Sequence, residues 1–408
     1  MIPPIQRTQI EKTNVCMIAY RSIPKFMNRL KIAQSLCEKE CDVDFICILD
    51  ENQQSEEKIY DVNVIRINGD HQRKDYSKLL YNYISFITRS FFKVLDLNRT
   101  KRYSYFHIHT PPDFLIVIAI PFKLIYGSRI ILDLHDMFPE AVESNLRFKG
   151  SSILVKLSEM IERISISFSD AIIATNSYDK EIIASRNKVD PDKIFVVMNT
   201  PNLKQYTIEN AVKKDYGLEN KFIVLFQGTV WKRRGIQTII DSVNQLKNKI
   251  PIYLIIVGDG PFVENLKDIV AEKDLNDLVE FTGWVDLNTL SKYISMADVC
   301  VIPFLKTKVN ERGVPNKLFE YTIHEKPIIA SRLKGMALTF SEKEILFYEP
   351  GNADDLAEKI LWCFNNPEET RKMISDAKRR YEEEYSWEKM ENELLRSYDS
   401  FEGKCSCD

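Results

Sequence analysis

The stretch Phe222-Ile-Val-Leu-Phe-Gln-Gly228-Thr-Val-Trp-Lys-Arg-Arg-Gly235 shows the unit from which most of this sequence is built. Its apolar run predicts a strand buried on both faces, Gly228 permits a sharp turn directly after it, and a helical pattern follows Gly235. Apolar runs followed by helical patterns recur on both sides of this stretch. This alternation predicts an α/β fold of doubly wound type, in which helices cover both faces of parallel sheets.

The predicted strands fall into two groups that are separated by a polar stretch at 199–220. The first group is 15–20, 43–49, 62–67, 105–109, 130–134, 171–175 and 194–197. The second group is 222–227, 252–257, 279–282, 299–303, 327–330 and 345–348. We therefore predict two domains, at 1–200 and 201–380, with a ligand cleft between them. A helix at 381–402 and a flexible tail at 403–408 follow.

Composition narrows the class of protein. A length of 408 residues with 44% hydrophobic residues suits two globular domains and excludes general disorder. The 56 basic and 59 acidic residues give a net charge of −3, which argues against nucleic acid as the main partner. The longest apolar run, 114–122, is too short to span a bilayer, and no signal peptide is recognisable. Eight cysteines without a Cys-x-x-Cys pair predict a reducing, cytoplasmic location.

Polar residues follow two neighbouring predicted strands of the first domain. His109 ends one strand, and His135 and Asp136 follow the next. Ligands of open parallel sheets bind beyond the carboxyl ends of the strands, so we interpret His109 as functional rather than as a histidine that only shapes the loop. We expect His107 to point to the opposite face of its strand and to be structural. Arg21 follows the first predicted strand, at the same edge of the sheet.

The second domain offers a candidate diphosphate site after its first strand. Gly228 is followed by Lys232, Arg233 and Arg234 at the start of a helical pattern. Cations and helix N–H groups together bind phosphate, although a solvated basic turn is the alternative. Glycines at the ends of the next two strands, Gly258 among them, favour close approach of the backbone to a ligand.

A later helix, begun by Pro315, carries Lys317 and Glu320 three residues apart. The carboxylate could accept two ribose hydroxyls while the lysine faces phosphate. The alternative is an ordinary salt bridge across the exposed first turns of a surface helix.

Taken together, these motifs resemble glycosyltransferase family 4. The resemblance rests on Gly228 to Gly235, Gly-Asp-Gly-Pro at 258–261, Thr-Gly-Trp-Val at 282–285, Val-Pro-Asn-Lys-Leu-Phe-Glu-Tyr at 314–321, Asp-Leu-His-Asp-Met-Phe-Pro-Glu at 133–140 and Tyr-Ser-Trp at 385–387. It implies the GT-B fold, with two facing Rossmann-like domains and a closing helix that crosses back to the first.

The resemblance also implies an activity. Members of the family transfer a sugar from a nucleotide-sugar to an acceptor hydroxyl, generally with retention of configuration, without an obligatory metal and with no other cofactor. We expect a glycan or glycolipid precursor as acceptor. The implied roles are diphosphate binding by Arg234 with Lys232 or Arg233, base contact by Gly283 to Val285, ribose binding by Glu320, and contact with the reacting sugar by His109. The other implied donor-side residues are Gly228, Gly258, Val314, Asn316 and Lys317. Arg21, His135 and Asp136 are predicted to line the acceptor side.

One departure from the family pattern keeps other functions open. The family often has a Glu-x7-Glu pair, but Arg312 stands eight positions before Glu320, and Glu311 is one position off. A noncatalytic nucleotide-sugar-binding protein and a sugar-nucleotide epimerase are therefore alternatives on the same fold.

The segment 73–102 interleaves apolar and basic residues. Such a segment is typical of helices that lie on anionic membranes, which would place the chain at the inner face of the membrane beside a lipid-linked acceptor. The alternative is a helix that packs on the core with a solvated basic rim.

Overall fold

The computed structural model describes residues 13–23, 27–69, 76–145, 153–204 and 206–400. The chain divides into two compact units. The first unit contains residues up to Thr175, Lys180–Val197 and the stretch from Glu391, and the second contains Asn176–Asp179 and Met198–Met390. The predicted tail at 403–408 lies outside the described residues.

The first unit is built on an eight-stranded sheet. Its strands are β1 (Asn14–Ala19), β2 (Asp42–Leu49), β3 (Glu56–Ile59), β4 (Val62–Asn68), β5 (Tyr105–Thr110), β6 (Arg129–Leu134), β7 (Ala171–Ala174) and β8 (Ile194–Val196). They lie in the order β3-β4-β2-β1-β5-β6-β7-β8, and every pair is parallel except β3 with β4. The helices are α1 (Met27–Glu38), α2 (Tyr76–Lys101), α3 (Ile120–Tyr126), α4 (Phe138–Asn145), α5 (Ile153–Phe168) and α6 (Ser177–Asn187).

The second unit is built on a six-stranded sheet, parallel throughout. Its strands are β9 (Phe222–Gln227), β10 (Ile252–Val257), β11 (Val279–Gly283), β12 (Val299–Ile302), β13 (Ile328–Ser331) and β14 (Leu346–Tyr348). They lie in the order β11-β10-β9-β12-β13-β14. The helices are α7 (Ile236–Leu246), α8 (Val263–Glu272), α9 (Leu287–Met296), α10 (Lys308–Arg312), α11 (Asn316–Ile323), α12 (Lys334–Thr339), α13 (Ala353–Asn365), α14 (Pro367–Arg380) and α15 (Trp387–Asp399).

The predicted α/β architecture is confirmed. Each predicted strand is present, and its bounds shift by at most one residue at either end because the apolar runs are buried on both faces. The sequence reading missed β3. This short edge strand reads Glu-Glu-Lys-Ile and is largely solvated, so it lacks the apolar pattern by which the others were found.

One face of the first sheet packs against helices and forms a hydrophobic core. Alternate residues of each strand point to this face. This core takes Ile18 from β1 and Ile108 from β5, and it is closed by Phe86 of α2, Phe122 of α3 and Ile166 of α5. The remaining residues of β5 and β6 therefore point to the other face of the sheet, where the first candidate site lies. Among the described helices, none is long and apolar enough to cross a bilayer.

The predicted closing helix is α15, which follows a π-helical turn at Tyr381–Tyr385. The first residues of α15 belong to the second unit, and the stretch from Glu391 belongs to the first. Tyr398 near its end is buried in the first unit, where its hydroxyl lies 2.7 Å from Nδ1 of His107.

Candidate active site

Apart from the antiparallel edge strand β3, each sheet has one place where its strand order reverses direction. In the first sheet this place lies between β1 and β5, and in the second between β9 and β12. At such a point the following helices pass to opposite sides and leave a crevice beyond the strand ends, where ligands of doubly wound sheets bind. The two sets of residues singled out from the sequence lie at these two points.

In the second unit, Gln227 at the end of β9 connects the strand to α11. Its side-chain amide donates to the Glu320 carboxylate, and its main-chain carbonyl oxygen accepts from the Lys317 ammonium. Its backbone N–H donates to the Tyr321 hydroxyl at 3.1 Å. These bonds hold the lysine and the carboxylate beside Gly228, directly after the strand. Gln227 was not singled out in the sequence, where it reads only as the last residue of the strand.

Two cations converge at this strand end on one aromatic ring. The guanidinium of Arg234 lies 4.2 Å from the ring centroid of Phe304, and the Lys317 ammonium lies 5.3 Å from the same ring. The ammonium is also 4.2 Å from the ring of Phe226. Desolvation, and secondarily the charge of Arg234, lowers the pKa of Lys317 to about 7, against the opposing effect of Glu320. Phe304 follows β12 and was not predicted, because nothing in the sequence shows that it meets residues 70 positions away.

The structure does not show the alternative considered for Lys317 and Glu320, a surface salt bridge between them. Both side chains are partly buried, and among the described residues their bonds go to Gln227 rather than to each other. Burial raises the pKa of Glu320, although the bond from Gln227 and the charge of Lys317 oppose this. A carboxylate bonded to the side chain of Gln227 and a cation bonded to its main-chain carbonyl can each bind a different part of a ligand. Lys232 and Arg233 lie exposed on the turn that leads to Arg234.

The predicted glycines form a close backbone junction. The Gly258 N–H donates to the Gly283 carbonyl and the Gly228 N–H to the Val257 carbonyl, each at 2.8 Å. A Cβ on Gly258 would lie 2.1 Å from the Gly228 carbonyl oxygen, and its φ of +133° already excludes most side chains. Val285, two residues after Gly283 in the sequence, is partly buried.

The loop before α11 contains the departure from the family pattern. Nε of Arg312 lies 3.1 Å from Oδ1 of Asp179, so its charge is balanced within the second unit. One carboxylate oxygen of Glu311 is buried and accepts no hydrogen bond from any described residue. Val314 is partly buried, and Asn316 is exposed as the first residue of α11. Glu311 is therefore the acidic residue of this loop, one position away from the place of the first glutamate in the family pair.

In the first unit, His107 and His109 lie side by side on one face of β5, so the prediction that His107 points to the opposite face was wrong. Side chains two residues apart on a strand share a face. The two rings are 4.4 Å apart, and both contact Asp133, the residue that pairs with His109 on β6. Oδ2 of Asp133 lies 3.2 Å from Nε2 of His107, 2.9 Å from Nδ1 of His109 and 3.2 Å from Nε2 of His135.

The charge of Asp133 sets the proton positions in this cluster. Burial alone would raise the pKa of Asp133, but His135 and hydrogen bonds from the three imidazoles hold it well below the usual range. Burial, aided by His107, keeps the pKa of His109 well below its usual value. A neutral His109 beside an ionised Asp133 carries its proton on Nδ1. Its Nε2 is then a buried acceptor, and no described residue donates to it.

The predicted acceptor-side residues surround the same cluster. Burial lowers the pKa of Arg29 to about 10; Asp133 and Asp136 oppose this shift and Arg21 adds to it, so these charged groups act on one another. Arg21 and His135 are partly exposed. His107, His109 and Asp133 also offer three ligand atoms within 4.8 Å of one another, close enough to hold a metal ion.

Two family models match adjoining parts of the chain. The model described as Glycosyltransferase Family 4 matches residues 30–204, and the model described as Glycosyl transferases group 1 matches residues 209–380. The chain belongs to glycosyltransferase family 4. The first model spans the histidine cluster, and the second spans the residues from Gly228 to Glu320.

Curated relatives of this glycosyltransferase match over part of their length. An uncharacterized glycosyltransferase of Methanocaldococcus jannaschii is 25% identical over 237 residues, which are 55% of this chain and 64% of that protein. The UDP-Gal:alpha-D-GlcNAc-diphosphoundecaprenol alpha-1,3-galactosyltransferase of Escherichia coli is 26% identical over 210 residues, which are 49% and 51% of the two chains. The chain thus spans less than two thirds of these relatives.

Solved structures share the fold over nearly the whole chain. Sucrose-phosphate synthase from Thermosynechococcus elongatus superposes with a TM-score of 0.76 at 18% identity, covering 96% of this chain and 100% of that one. This glycosyltransferase therefore has the GT-B fold, as its sequence predicted.

Proposed function

We propose that this glycosyltransferase moves a sugar from a nucleoside diphosphate sugar to a hydroxyl group of a glycan or lipid-linked acceptor, with retention of configuration and without a bound metal. The observation that carries the proposal is the group at the end of β9, where Arg234 and Lys317 share the ring of Phe304 beside Glu320. Two cations and a carboxylate at a strand-order reversal suit a diphosphate joined to a ribose.

The chemistry of the leaving group explains why two cations stand here. When the bond between the sugar and the diphosphate breaks, negative charge develops on the diphosphate oxygen. Arg234 and Lys317, fixed by ring contacts and by Gln227, stabilise that charge without rearranging as it forms. Lys317 is partly neutral before the donor binds, and the diphosphate restores its proton. Glu320 accepts hydrogen bonds from ribose hydroxyls, the role that the family resemblance implies.

His109 of the first unit is the proposed contact for the reacting sugar. Asp133 fixes its Nδ1 proton, so the buried Nε2 presents a lone pair to a sugar hydroxyl. An imidazole held neutral accepts a hydrogen bond without placing a positive charge beside a developing oxocarbenium ion. His135, Asp136 and Arg21 are the proposed groups on the acceptor side.

The E. coli relative suggests which classes of substrate to test first. That relative uses a UDP-sugar and a diphosphoundecaprenol-linked acceptor. We infer the same two classes, a UDP-sugar donor and a polyprenyl-diphosphate-linked glycan acceptor, as the first pair to test. GDP- and ADP-sugars form the comparison set.

The test is sugar transfer or donor hydrolysis by the purified chain, followed by chromatography of the released nucleoside diphosphate. Arg234→Gln should lower kcat by about 100-fold or more, the usual cost of losing one group that stabilises developing charge. Arg371→Gln, an exposed change on α14, is the control and should leave kcat unchanged. Full activity in Arg234→Gln would refute the assignment. Product analysis without acceptor distinguishes transfer from epimerisation.

A further inference from the structure

The first unit has an unusual outer surface on one side of its sheet. All but one of the exposed large apolar side chains described in this unit, Tyr60 being the exception, lie on α2, on α5 or on the turn and helix at 113–126. These residues are Leu80, Tyr81, Ile84, Phe92, Val117, Leu124, Ile125, Tyr126, Ile153, Leu154, Leu157, Met160 and Ile164. We call this set the apolar helix face.

The helices that carry this face are neighbours. The rings of Phe91 on α2 and Phe122 on α3 are 5.9 Å apart. The hydroxyl of Ser165 on α5 donates at 3.0 Å to the carbonyl of Asp113, which begins the 3-10 turn before α3. All three helices close the same hydrophobic core with their inner sides. Their outer sides therefore form one surface of the first unit rather than scattered patches.

In α5 the usual arrangement of a surface helix is reversed, because several apolar residues face outward and several polar residues are buried. Its exposed apolar residues recur at the helical period, and Ile153 is 83% exposed. Its buried residues include Ser158, Glu162 and Ser165. Glu162 is held in place by Arg186, at 3.0 Å. A helix with its apolar stripe outward is not explained by packing in water, since single exposed apolar residues are ordinary but a contiguous group marks an interaction surface.

The charged residues on the apolar helix face indicate which kind of partner it binds. Arg89 of α2 and Lys156 and Arg163 of α5 are exposed among these apolar residues and form no ion pair with any described residue. Across the exposed positions of α2 and α5 the cations outnumber the anions, whereas the whole chain carries a net charge of −3. Apolar side chains spread over three helix surfaces with basic residues between them match the interface of an anionic bilayer, into which side chains insert without needing a complementary pocket.

We propose that the apolar helix face docks on the surface of an anionic lipid bilayer, with the apolar side chains inserted and Arg89, Lys156 and Arg163 facing lipid phosphates. This docking extends the proposed function, because it brings the transferase to a lipid-linked acceptor. It also resolves the two alternatives for the segment 73–102. In α2, Phe86 and Val94 pack on the core, while Leu80, Tyr81, Ile84 and Phe92 form part of the docking face.

The experiment is vesicle flotation with the full chain, without donor or acceptor, so its outcome is independent of the proposed activity. Vesicles of phosphatidylcholine alone are compared with vesicles that contain about one third phosphatidylglycerol, at low and at physiological salt. The wild type should float with the anionic vesicles. Leu124→Gln combined with Leu154→Gln should bind them about tenfold more weakly or worse, since two inserted side chains are lost.

Two further variants make the result specific. Leu287→Gln with Leu338→Gln removes exposed apolar residues of the second unit and should bind like the wild type. Arg89→Gln, Lys156→Gln and Arg163→Gln together should abolish the preference for anionic over neutral vesicles. Every changed side chain is exposed, and melting curves check that each variant folds.

Three outcomes would overturn the proposal. The first is no flotation of the wild type with anionic vesicles at low salt. The second is equal binding by the wild type and the Leu124/Leu154 variant. The third is a dimer in sedimentation velocity that this same variant dissociates, because a second copy of the chain would then cover the face. If the wild type does not float with anionic vesicles but turns over the donor normally, docking is refuted and the proposed activity stands.

Discussion

Lys317 gives the sharpest prediction, because donor binding should depend on pH through this one residue. Its ammonium lies against two aromatic rings, and burial lowers the pKa of Lys317 to about 7. A bound diphosphate, whose charge does not change in this range, must raise that pKa toward its ordinary value of 10.5. Binding therefore takes up a proton whenever the free protein has lost it.

The magnitude follows from the fraction of Lys317 that is charged in the free protein. With a pKa of about 7, roughly half is charged at pH 7 and about one per cent at pH 9. If only the charged form binds, the affinity for the donor falls about fiftyfold over this range, equivalent to about 2.3 kcal/mol. At pH 8 the binding of each donor molecule should take up about 0.9 proton.

The assay is isothermal titration calorimetry with the sugar nucleotide that binds most tightly, in two buffers that differ in ionisation enthalpy. Lys317→Met should bind weakly, with an affinity that no longer varies between about pH 7 and 9. Lys232→Met, on the exposed turn, should keep the full pH dependence because Lys317 is intact. An affinity of the wild type that is flat across this range, or binding without proton uptake, would refute the reasoning.

Four further outcomes test other parts of the structure. Asp133→Asn should move the His109 proton from Nδ1 to Nε2, visible in nitrogen NMR spectra, and lower kcat at least about tenfold with little change in KM; an unmoved proton would contradict the assigned tautomer. Burial, with a smaller effect of Glu162, raises the pKa of Asp113 to about 8, so folding binds a proton and the free energy of unfolding falls as pH rises from about 4 to 8. Asp113→Asn should abolish this slope and be more stable at pH 8, on the order of 4 kcal/mol, in urea titrations; a less stable variant would count against it. Gly258→Ala should cost about 2 kcal/mol or more in thermal unfolding and abolish donor binding, whereas Gly283→Ala, where a Cβ meets nothing within 4 Å, should cost about 1 kcal/mol from its positive φ alone; equal losses would contradict the steric argument. Dialysis against EDTA should leave turnover unchanged, and bound metal recovered from the histidine cluster by mass spectrometry would contradict metal independence.

The strands could be predicted because burial on both faces leaves an unambiguous mark in a sequence. Ile252–Val257 begins and ends where its apolar run does, and Phe222–Gln227 extends its run by one residue. The strand at Glu56–Ile59 could not be found in this way, since its residues are mostly charged and only pairing with β4 makes them a strand. A strand that forms only because a neighbouring strand pairs with it has no pattern in its own residues from which it could be predicted.

The site was only partly predictable for a related reason. Glycines and cations after a strand point to phosphate by their own chemistry, so Arg234 and Lys317 could be singled out. Gln227 and Phe304 acquire their roles through contacts with residues far along the chain, and the sequence contains no sign of these contacts. The error at His107 had a different origin, because the strand period of two already placed it beside His109.

The hydrogen bond between His107 and Tyr398 has a consequence for biosynthesis. The two residues are 291 positions apart, so the ribosome must translate the whole second unit before His107 of the first unit can receive its partner. Until then a polar ring at the centre of the nascent sheet lacks the hydroxyl that satisfies it in the finished protein. The first unit therefore stays incompletely packed until α15 has been synthesised, and a stop codon before Tyr398 would damage a sheet whose strands were made much earlier.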